Sequence, residues 1–475
     1  MPLQAHLCRD PHDLLAAEDV ERIHESALRV MSRTGVTFAG GRALAILRRG
    51  GCSVDEASGR VRFPAALVAE CLACCPPSFV LRARSRSHDL EIGGAALYFQ
   101  SHPGLYLAGL EDGERRLARL ADIGPLTRLL DALDEIHLSI MPTSTIADLP
   151  AAIMIEHIAA EQMRNTQKVT AHGVFQGCAP WVIEMARITD QQVYGQINPV
   201  SPLSYPAEQV EGGLAYVEAG HPVCILPGPT LGASSPATLA GTLVLQTAEH
   251  LAGVVLIQLA RPGAPVTLGG YPHVLDMRHG ALAIGAVEVA LMGAALAQIC
   301  RRYRLPSHPE FPLTDAKVLD EQAAAEKAMG LLLLAQAGAN LVSNGGALEA
   351  EKLWSPVQLV IDAELNGMAG RVLDGVHVSD ETLAVDVIDQ VGPLGTFLRA
   401  KHTRRVWRAE QYLPDLADRQ TYTAWLEAGS RDITDRARER ARTLMRDHQV
   451  PPLAEEQDQE LGRLLRRAAQ AKLAG

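Results

Sequence analysis

The segment Leu305–Ser355 reads LPSHPEFPLTDAKVLDEQAAAEKAMGLLLLAQAGANLVSNGGALEAEKLWS and decides the predicted fold. It contains a short apolar strand, a polar loop, a long amphipathic helix, and a second short strand that breaks at Asn344-Gly345-Gly346. A helix has to cross between strands when the strands are parallel, so this order predicts a βαβ unit. Both strands end in polar residues and glycines, at the carboxyl edge where α/β proteins bind their ligands.

The same alternation extends over residues 96–375, the region that decides the fold class. Short apolar runs occur at 97–101, 136–142, 168–175, 197–205, 222–229, 265–271, 305–311 and 339–345. Helical patterns occur at 120–134, 150–163, 180–190, 207–219, 236–260, 284–303, 319–337 and 356–373. Eight strand–helix repeats predict an α/β fold of the (β/α)8 TIM-barrel type. The alternative is an open doubly wound sheet, which often carries GxGxxG; neither that motif nor GxxxxGK[ST] occurs here.

Two further regions flank the predicted barrel of residues 96–375. Residues 1–95 predict an amino-terminal mixed α/β cap of helices and hairpins. Residues 376–475 predict a charged helical extension that packs on the barrel or on a neighbouring subunit, and we expect a homo-oligomer.

Composition excludes several classes of partner. The chain has 475 residues and a formal net charge of -11, so neither nucleic acid nor an anionic membrane is expected to bind it. A signal peptide and a long charge-free apolar run are both missing from the sequence, which predicts a cytoplasmic protein. The eight cysteines indicate no disulfide framework, and CLACC at 71–75 lacks the second ligand pair of a structural zinc site.

The loops after the strands are where a barrel places its active site. Few of the polar residues at these strand ends are strong acids or bases. The polar residues include Gln100, His102, His172, Gln176, Tyr205, Tyr271, His308, Glu310 and Asn344. The aromatic residues nearest the strand ends are Phe99, Tyr106, Phe175, Tyr205, Tyr271 and Phe311. Together they could line a pocket for a cation, because aromatic faces attract quaternary ammonium groups.

A metal-dependent lyase or hydrolase is one alternative, with His102, His172 and His308 converging on a metal. The spacings HxH and HExxH do not occur, and His308-Pro309-Glu310 lacks the PCxxC partner of zinc deaminases. A serine nucleophile is not indicated, because no GxSxG elbow is present. We therefore predict no metal ligands. A non-catalytic amine-binding barrel is the second alternative.

Several stretches, in order along the chain, resemble the trimethylamine–corrinoid protein methyltransferase family. They are IHESALRVMSRTGV, SPLSY, GASSPATLAGTLVLQTAEHLA, RPGAPV, TDAKVLDEQAAAEKA, AGANLVSNGGALEAEKLWSPVQLVIDAE and FLRAKHTRRVWRAEQYLPDLADR. The resemblance implies a (β/α)8 barrel, in agreement with the strand count. Methylamine-specific members of that family carry pyrrolysine in the loop after strand eight. The equivalent position here is at or beside Gly345, so this chain has no such residue.

The resemblance also implies a reaction and a partner. The methyl acceptor would be cobalamin on a separate corrinoid protein, with no cofactor bound covalently to this chain, and its Co(I) would attack a methyl carbon in line. Attack on trimethylamine would expel an amide anion, a difficulty that pyrrolysine is thought to remove. A quaternary ammonium leaves as a neutral tertiary amine and needs no such help. The chain is therefore similar to pyrrolysine-free members that act on betaine-like compounds such as glycine betaine.

We expect the quaternary amine to bind at the strand ends, where the protein would hold, orient and desolvate it. The expected pocket residues are Gln100, His102, His172, Tyr205, Tyr271, Glu310 and Asn344. Glu310 would offer negative charge to the ammonium group, and His102 or His172 would hydrogen-bond the polar end of the substrate.

Overall fold

The computed structural model describes residues 3–174, 177–310 and 312–473. Its centre is a run of parallel strands alternating with helices. The strands are β1 (Ala96–Ser101), β2 (Leu138–Ile140), β3 (Val169–Gly173), β4 (Val193–Ile197), β5 (Val223–Ile225), β6 (Val266–Gly270), β7 (Ser307–Pro309) and β8 (Leu341–Gly345). The helices are α1 (Leu120–Ala132), α2 (Ala151–Arg164), α3 (Ala179–Ile188), α4 (Ala207–Ala219), α5 (Leu239–Ala260), α6 (Val287–Tyr303), α7 (Glu321–Gln336) and α8 (Pro356–Asp374). The predicted alternation is confirmed.

These strands form one curled sheet in the order β8-β1-β2-β3-β4-β5-β6-β7, with a parallel ladder at each step. Where β7 meets β8, the Ser307 N–H donates to Asn340 Oδ1 over 3.0 Å, and the Asn340 N–H donates to Ser307 Oγ over 3.2 Å. Among the described residues, no backbone ladder joins these two strands. The α/β class and the curled parallel sheet are confirmed, while a complete (β/α)8 barrel stays a prediction.

The position predicted for the fourth strand, 197–205, is wrong. The strand is Val193–Ile197, and the residues after it form a loop in which Ser204–Tyr205 pairs with Val36–Phe38 near the amino terminus. Its sequence VYGQI includes a glycine and a glutamine, and the apolar and β-branched residues on which the prediction relied lie in the following segment, INPVSPLSY. The glycine is needed for packing, because a Cβ at Gly195 would lie 2.5 Å from the ring of Tyr216 on α4.

Further helices and short strands lie before, after and within the loops of this sheet. The amino-terminal helices are Ala17–Arg33, Gly41–Arg49 and Ala65–Cys74, and the amino-terminal strands are His6–Leu7, Val36–Phe38, Ser53–Asp55, Arg60–Arg62, Ser78–Leu81 and Leu90–Gly93. Short loop strands are Tyr106–Ala108, Arg115–Arg116, Ser204–Tyr205, Thr230–Leu231, His273–Asp276, Ala281–Ala283, Ala347–Leu348 and Leu353–Trp354. The carboxyl-terminal helices are Asp380–Leu383, Val385–Val391, Lys401–Glu410, Tyr422–Glu427, Ile433–Asp447 and Glu455–Leu473.

Both flanking regions contact the central unit. The strand His6–Leu7 pairs antiparallel with β1, and Glu455–Leu473 is tied to α2 by ion pairs of Lys472 with Glu156 and of Asp458 with Arg164. The division into three domains therefore stays a prediction.

Helix α5 is the most apolar helix of the core. By length and hydropathy it could cross a membrane, but 83% of its apolar window is buried inside the fold. Its residues pack in one cluster with the helix Ala17–Arg33 and with β5 and β6. Burial in this core accounts for its composition.

A buried ion pair connects α7, α8 and the end of β8. The Lys327 ammonium donates to Asp362 Oδ2 over 2.9 Å and to the Asn344 carbonyl over 2.7 Å, and the Gly346 N–H donates to the same carboxylate oxygen over 2.8 Å. Both charged side chains are completely buried. Burial lowers the pKa of Lys327 and raises that of Asp362, and each partner opposes the shift of the other. The pair thus fixes the chain immediately after β8.

Removing one partner of this pair should destabilise the protein. Lys327→Met leaves the Asp362 carboxylate buried without its counter-charge, which costs about 3–5 kcal/mol. Urea unfolding measures this loss, and Lys327→Met combined with Asp362→Leu should recover most of it. Arg22→Ala, which breaks an exposed pair with Asp19, is the control and should cost less than about 1 kcal/mol. Equal costs for Lys327→Met and the control would contradict this role.

Candidate active site

The two faces of the curled sheet differ in chemistry, because successive side chains of a strand point to opposite faces. The outer face is covered by helices: a Cβ at Gly195 would meet Tyr216 of α4, and one at Gly270 would meet Gln246 of α5. The inner face carries polar side chains that bond to one another across strands. The position of a residue within its strand therefore decides whether it can take part in an inner site.

A network of hydrogen bonds crosses the inner face from β4 to β1. The Tyr194 hydroxyl bonds to the Thr267 hydroxyl and lies 3.1 Å from His308 Nδ1. His308 Nε2 lies 2.9 Å from Ser343 Oγ, to which the Gln100 amide donates over 2.9 Å. All five side chains are buried. Burial lowers the pKa of His308 to about 3, so its ring is neutral and both ring nitrogens are occupied by hydrogen bonds.

Glu310 stands on the inner face directly after β7. The Gln196 amide donates to Glu310 Oε1 over 3.0 Å, and His102 Nε2 lies 3.9 Å from Glu310 Oε2. Burial and the nearby charge of Glu351 raise the pKa of Glu310 to about 8, against the opposing hydrogen bond from Gln196. Burial also lowers the pKa of His102. Both groups are therefore neutral at pH 7, and an arriving cation would favour ionisation of Glu310.

An aromatic ring lies beside this carboxyl group. Tyr271 follows β6 and covers Gly228, where a Cβ would lie 2.1 Å from the tyrosine ring. The ring of His273 meets it edge-on, with 5.4 Å between the centroids. Burial, reinforced by the nearby carboxyl groups of Glu310 and Glu351, raises the pKa of the Tyr271 hydroxyl, which stays protonated.

A second carboxylate, that of Glu351, lies near Glu310 and Tyr271 and belongs to an unusual turn. Glu349, Ala350 and Glu351 have φ values of 52°, 51° and 68°, a left-handed conformation that costs about 1–2 kcal/mol per non-glycine residue. The Glu349 and Ala350 N–H groups donate to the carbonyls of Ala316 and Thr314 over 2.7 and 3.0 Å. This turn was not recognised in the sequence, because no local pattern marks it.

The turn brings the Glu351 carboxylate to 3.4 Å from His273 Nε2. Burial opposes the ionisation of Glu351, but the hydrogen bond with His273 and the neighbouring imidazole rings of His102 and His273 hold its pKa below the ordinary value. We call the part of the inner face where Glu310, Tyr271 and Glu351 lie the mouth. It contains one ionised carboxylate, Glu351, and one carboxyl group that can ionise when a cation binds, Glu310. His273, Glu351 and Gln196 were all missed as site residues, because none belongs to a strand-end run read from the sequence.

Two predicted site residues lie away from this mouth. The Tyr205 hydroxyl donates to the Glu249 carbonyl over 2.7 Å, and its ring stacks on Phe38 at 4.7 Å between centroids. The Asn344 amide donates to Asn366 Oδ1 on α8 over 2.6 Å. Tyr205 thus contacts the amino-terminal region, and Asn344 contacts the helical layer, so neither is brought together with Glu310.

His172 also faces the helices. It stands opposite Gly195 in the β3–β4 ladder, and Gly195 points toward Tyr216. Its ring nitrogens have no hydrogen-bond partner among the described residues, and burial lowers its pKa to about 3. Of the seven predicted pocket residues, the structure brings together Gln100, His102, Tyr271 and Glu310.

The predicted pyrrolysine position lies at a bulge in β8. The ladder with β1 pairs Ser343 with Gln100 and then Gly345 with Ser101, so Asn344 is the extra residue. A Cβ at Gly345 would lie 2.9 Å from Leu359 Cδ1 on α8. A side chain at this position would therefore point toward the helices, and the equivalence with pyrrolysine stays a prediction.

Of the six aromatic residues predicted to line the pocket, Tyr271 is the one that the structure places on the inner face, among the residues that it describes. Phe99 packs against His137 on the outer side, and the Arg115 guanidinium lies over the ring of Tyr106 at 3.8 Å. Phe175, Gln176 and Phe311 lie outside the described residues. Tyr271 is therefore the member of this predicted set that lies beside Glu310.

The three strand-end histidines do not converge on one point, because His172 faces the helices whereas His102 and His308 lie on the inner face. Within residues 3–174, 177–310 and 312–473, the group with mutually close ligand atoms is His6, Glu135 and His137, near the amino ends of the strands. Even there, His137 Nδ1 accepts from the Phe99 N–H over 3.1 Å, and its Nε2 lies 3.1 Å from the Gln4 carbonyl. Both ring nitrogens of His137 are therefore engaged.

Comparison with known proteins gives the family. The sequence model of the family "Trimethylamine methyltransferase (MTTB)" matches residues 4–471 of this chain. Trimethylamine methyltransferase MttB of Desulfitobacterium hafniense (strain DSM 10664 / DCB-2) is 32% identical over 449 residues, covering 92% of this chain and 90% of that protein. Glycine betaine methyltransferase of Desulfitobacterium hafniense (strain Y51) is 32% identical over 466 residues, covering 95% and 96%.

A solved structure of Methanosarcina barkeri monomethylamine methyltransferase (MtmB) is a more distant match. It is 12% identical, covers 91% of this chain and 94% of its own, and has a TM-score of 0.49. The sequence matches are sufficient: the chain is a methyltransferase. It belongs to the trimethylamine methyltransferase (MTTB) family, which confirms the resemblance.

Glu310 should make stability depend on pH. Its pKa is raised from 4.5 to about 8, so the folded protein binds this proton more tightly than the unfolded chain does. The resulting stability is fully present below about pH 4.5 and is lost as the pH rises through about 8. Glu310→Gln cannot ionise, so it should gain on wild type by a few kcal/mol (roughly 1.4 per pKa unit) between pH 5 and pH 8. Urea unfolding measures this difference, and a pH-independent value would contradict the assignment.

Proposed function

We propose that this chain transfers a methyl group from a quaternary amine to Co(I) of a cobalamin carried by a separate corrinoid protein. The observation that carries the proposal is the buried Glu310 carboxyl group at the strand ends, beside the Tyr271 ring and the Glu351 carboxylate. Carboxylates and an aromatic face are groups that attract an ammonium cation. The name of one relative, glycine betaine methyltransferase, supports a quaternary substrate.

The absence of pyrrolysine supports the same class of substrate. Residues 343–347 are Ser-Asn-Gly-Gly-Ala, so the loop after β8 carries no group able to form an adduct with an amine. When a quaternary ammonium loses a methyl group, the carbon–nitrogen bond breaks and its electron pair stays on nitrogen, which leaves as a neutral tertiary amine. A corrinoid on the partner protein would supply the electron pair for the new bond to the methyl carbon. A general acid is then unnecessary, in agreement with the neutral His102 and His308 rings.

The role of the protein is to bind, orient and desolvate the amine. Glu310 and Glu351 would face the positive charge, and Tyr271 would pack against the N-methyl groups. Gln100, Gln196 and His102 would hydrogen-bond the remaining part of the substrate. This pocket retains four of the residues predicted from the sequence and replaces His172, Tyr205 and Asn344, whose side chains contact other parts of the fold.

Two finer points of the fold and location belong to the same proposal. We infer a complete (β/α)8 barrel, supported by the reciprocal Ser307–Asn340 hydrogen bonds at the meeting of β7 and β8. We also infer a cytoplasmic location, supported by the free thiols of Cys224 and Cys300 in the core.

The methyl donor can be identified by a screen. Purified chain, a Co(I) corrinoid protein or free Co(I) cobalamin, and a set of quaternary and tertiary amines are mixed, and the loss of Co(I) absorbance is followed. We expect turnover with at least one quaternary amine and none with trimethylamine, because trimethylamine offers no neutral leaving group. Turnover with trimethylamine alone would refute the proposed substrate class.

Glu310 should govern affinity for the amine. Glu310→Gln keeps the size and the contact with Gln196 but cannot become negative, so the affinity for the donor amine should fall at least about tenfold, or 1.4 kcal/mol. Tyr271→Ala should also weaken binding. Isothermal titration calorimetry with the amine identified above measures both effects.

The matched control is Glu249→Gln. Glu249 is another buried carboxyl group, whose pKa burial raises to about 7, but it accepts from Ser201 and Leu203 in the loop after β4. Amine affinity should be unchanged in this variant. Equal losses in Glu249→Gln and Glu310→Gln would show that neither carboxyl group contacts the amine.

A further inference from the structure

The polar side chains of the inner face form two layers, because residues two positions apart on a strand point to the same side. The lower layer contains Gln100 of β1 and His308 of β7, and the upper layer contains His102 and Glu310, each two residues further along the chain. The layers are about 6–7 Å apart, which is the rise of two strand residues. Gln100 and His308 meet at Ser343 Oγ, which lies 2.9 Å from each. We call this lower layer the floor, since it lies directly beneath the mouth.

One hydrogen-bond acceptor on the floor is unsatisfied. Gln100 is completely buried and its amide nitrogen donates to Ser343, but its side-chain oxygen Oε1 has no partner among the described residues. An unpaired buried acceptor costs free energy, so a ligand that donates a hydrogen bond to it gains affinity. A hydroxyl group can donate this bond, whereas an ionised carboxylate can only accept.

The mouth above the floor contains acidic groups and no basic partner for a carboxylate. Burial and the nearby Glu351 raise the pKa of Glu310, so the two groups lie close enough to interact. Among the described residues, the hydrogen-bond and ion-pair partners of these two groups are Gln196, His102 and His273, and none is a lysine or an arginine. A carboxylate on the substrate would therefore be desolvated beside like groups without a counter-charge, which is unfavourable.

The basic side chains around the mouth are engaged elsewhere or exposed. Lys327 is held by the Asp362 carboxylate behind β8, and Arg115 is paired with Glu349 over 3.3 Å. The other lysines and arginines in the loops that follow the strands are all exposed, namely Arg116, Arg119, Arg278, Lys317 and Lys352. The site thus suits a cation whose other end is uncharged.

The direction of methyl transfer, on the function proposed above, turns the rest of the amine toward the floor. The methyl acceptor is carried by another protein and has to approach from outside the strand ends, because the floor side chains are completely buried. In-line transfer then places the nitrogen and its remaining substituents on the far side of the methyl carbon from the acceptor. The ammonium group would lie in the layer of Glu310 and Tyr271, and the tail of the amine would point down to Gln100.

We propose that the amine bound at this site is a quaternary ammonium alcohol without a carboxylate, a choline-like cation whose hydroxyl group donates to Gln100 Oε1. This assignment, which rests on the methyl transfer proposed above, departs from the carboxylated betaines that the family resemblance suggests. A tail of two carbons and one oxygen, together with the hydrogen bond, spans the distance between the two layers. Gln100 is then a specificity-determining residue.

A series of ligands tests the assignment on the wild-type, full-length chain. Isothermal titration calorimetry at pH 7 compares choline, glycine betaine and tetramethylammonium. Choline should bind at least about tenfold more tightly than glycine betaine, whose tail ends in a carboxylate. Choline should also bind about tenfold more tightly than tetramethylammonium, which has no hydroxyl group to donate to Gln100.

The variant Gln100→Met tests the role of the floor. It keeps the length of the side chain but removes the acceptor, so the preference for choline over tetramethylammonium should fall to about onefold. Retained affinity for tetramethylammonium shows that the variant is folded. Gln162→Met is the matched control, because Gln162 is also completely buried, donates to Ser139 and has an unpartnered Oε1, but lies on α2 outside the sheet. This control should keep the preference of wild type.

The outcomes separate this assignment from the proposed function. Tighter binding of glycine betaine than of choline would overturn the assignment, and turnover of glycine betaine with Co(I) would at the same time support the proposed methyl transfer. A preference for choline over tetramethylammonium that is missing in wild type, or that survives in Gln100→Met, would overturn the role of Gln100. The expected binding pattern without methylation of Co(I) by any quaternary amine would support the choline-like ligand and refute the proposed function.

Discussion

Successive side chains of a strand point to opposite faces of the curled sheet, and the two faces have different surroundings. This alternation constrains which residues can form the site and which must pack against the helices. The outer face must fit the helices, which is why Gly195 and Gly270 allow Tyr216 and Gln246 to approach the backbone. The inner face instead carries polar side chains that satisfy one another by hydrogen bonds. A residue at the end of a strand therefore belongs to the site or to the helical layer according to its position in this alternation.

The inner polar groups are buried, so their charges are controlled by the free energy of desolvation. His308 stays neutral within a network that occupies both of its ring nitrogens, and Glu310 stays protonated up to about pH 8. A permanent buried charge would be costly without a partner, whereas a carboxyl group that ionises when a cation arrives avoids this cost in the empty site. These pKa shifts suit the quaternary amine that we propose as substrate, and the proposed reaction requires no acid–base pair.

The chain after β8 is held by longer-range contacts. Lys327 and Asp362 bind the backbone of Asn344 and Gly346, and the left-handed turn at Glu349–Glu351 is anchored on Thr314 and Ala316. A strained turn persists only where the surrounding structure determines it, and here it brings the Glu351 carboxylate beside His273. The buried Lys327–Asp362 pair and the left-handed turn together therefore fix the position of the Glu351 carboxylate at the strand ends.

The sequence by itself determined the family, the α/β class, all of the helices around the sheet and all of its strands but one, because these depend on local periodicity and on motifs that are contiguous in the chain. It also located the strand ends that carry Gln100, His102, Tyr271 and Glu310. Only the tertiary structure decided which strand-end residues face inward, because a shift of one residue moves a side chain to the other face. His172 and Asn344 face the helices for this reason, the latter through a bulge. Glu351 and His273 meet only through folding, since their contact joins loops that are 78 residues apart in the chain.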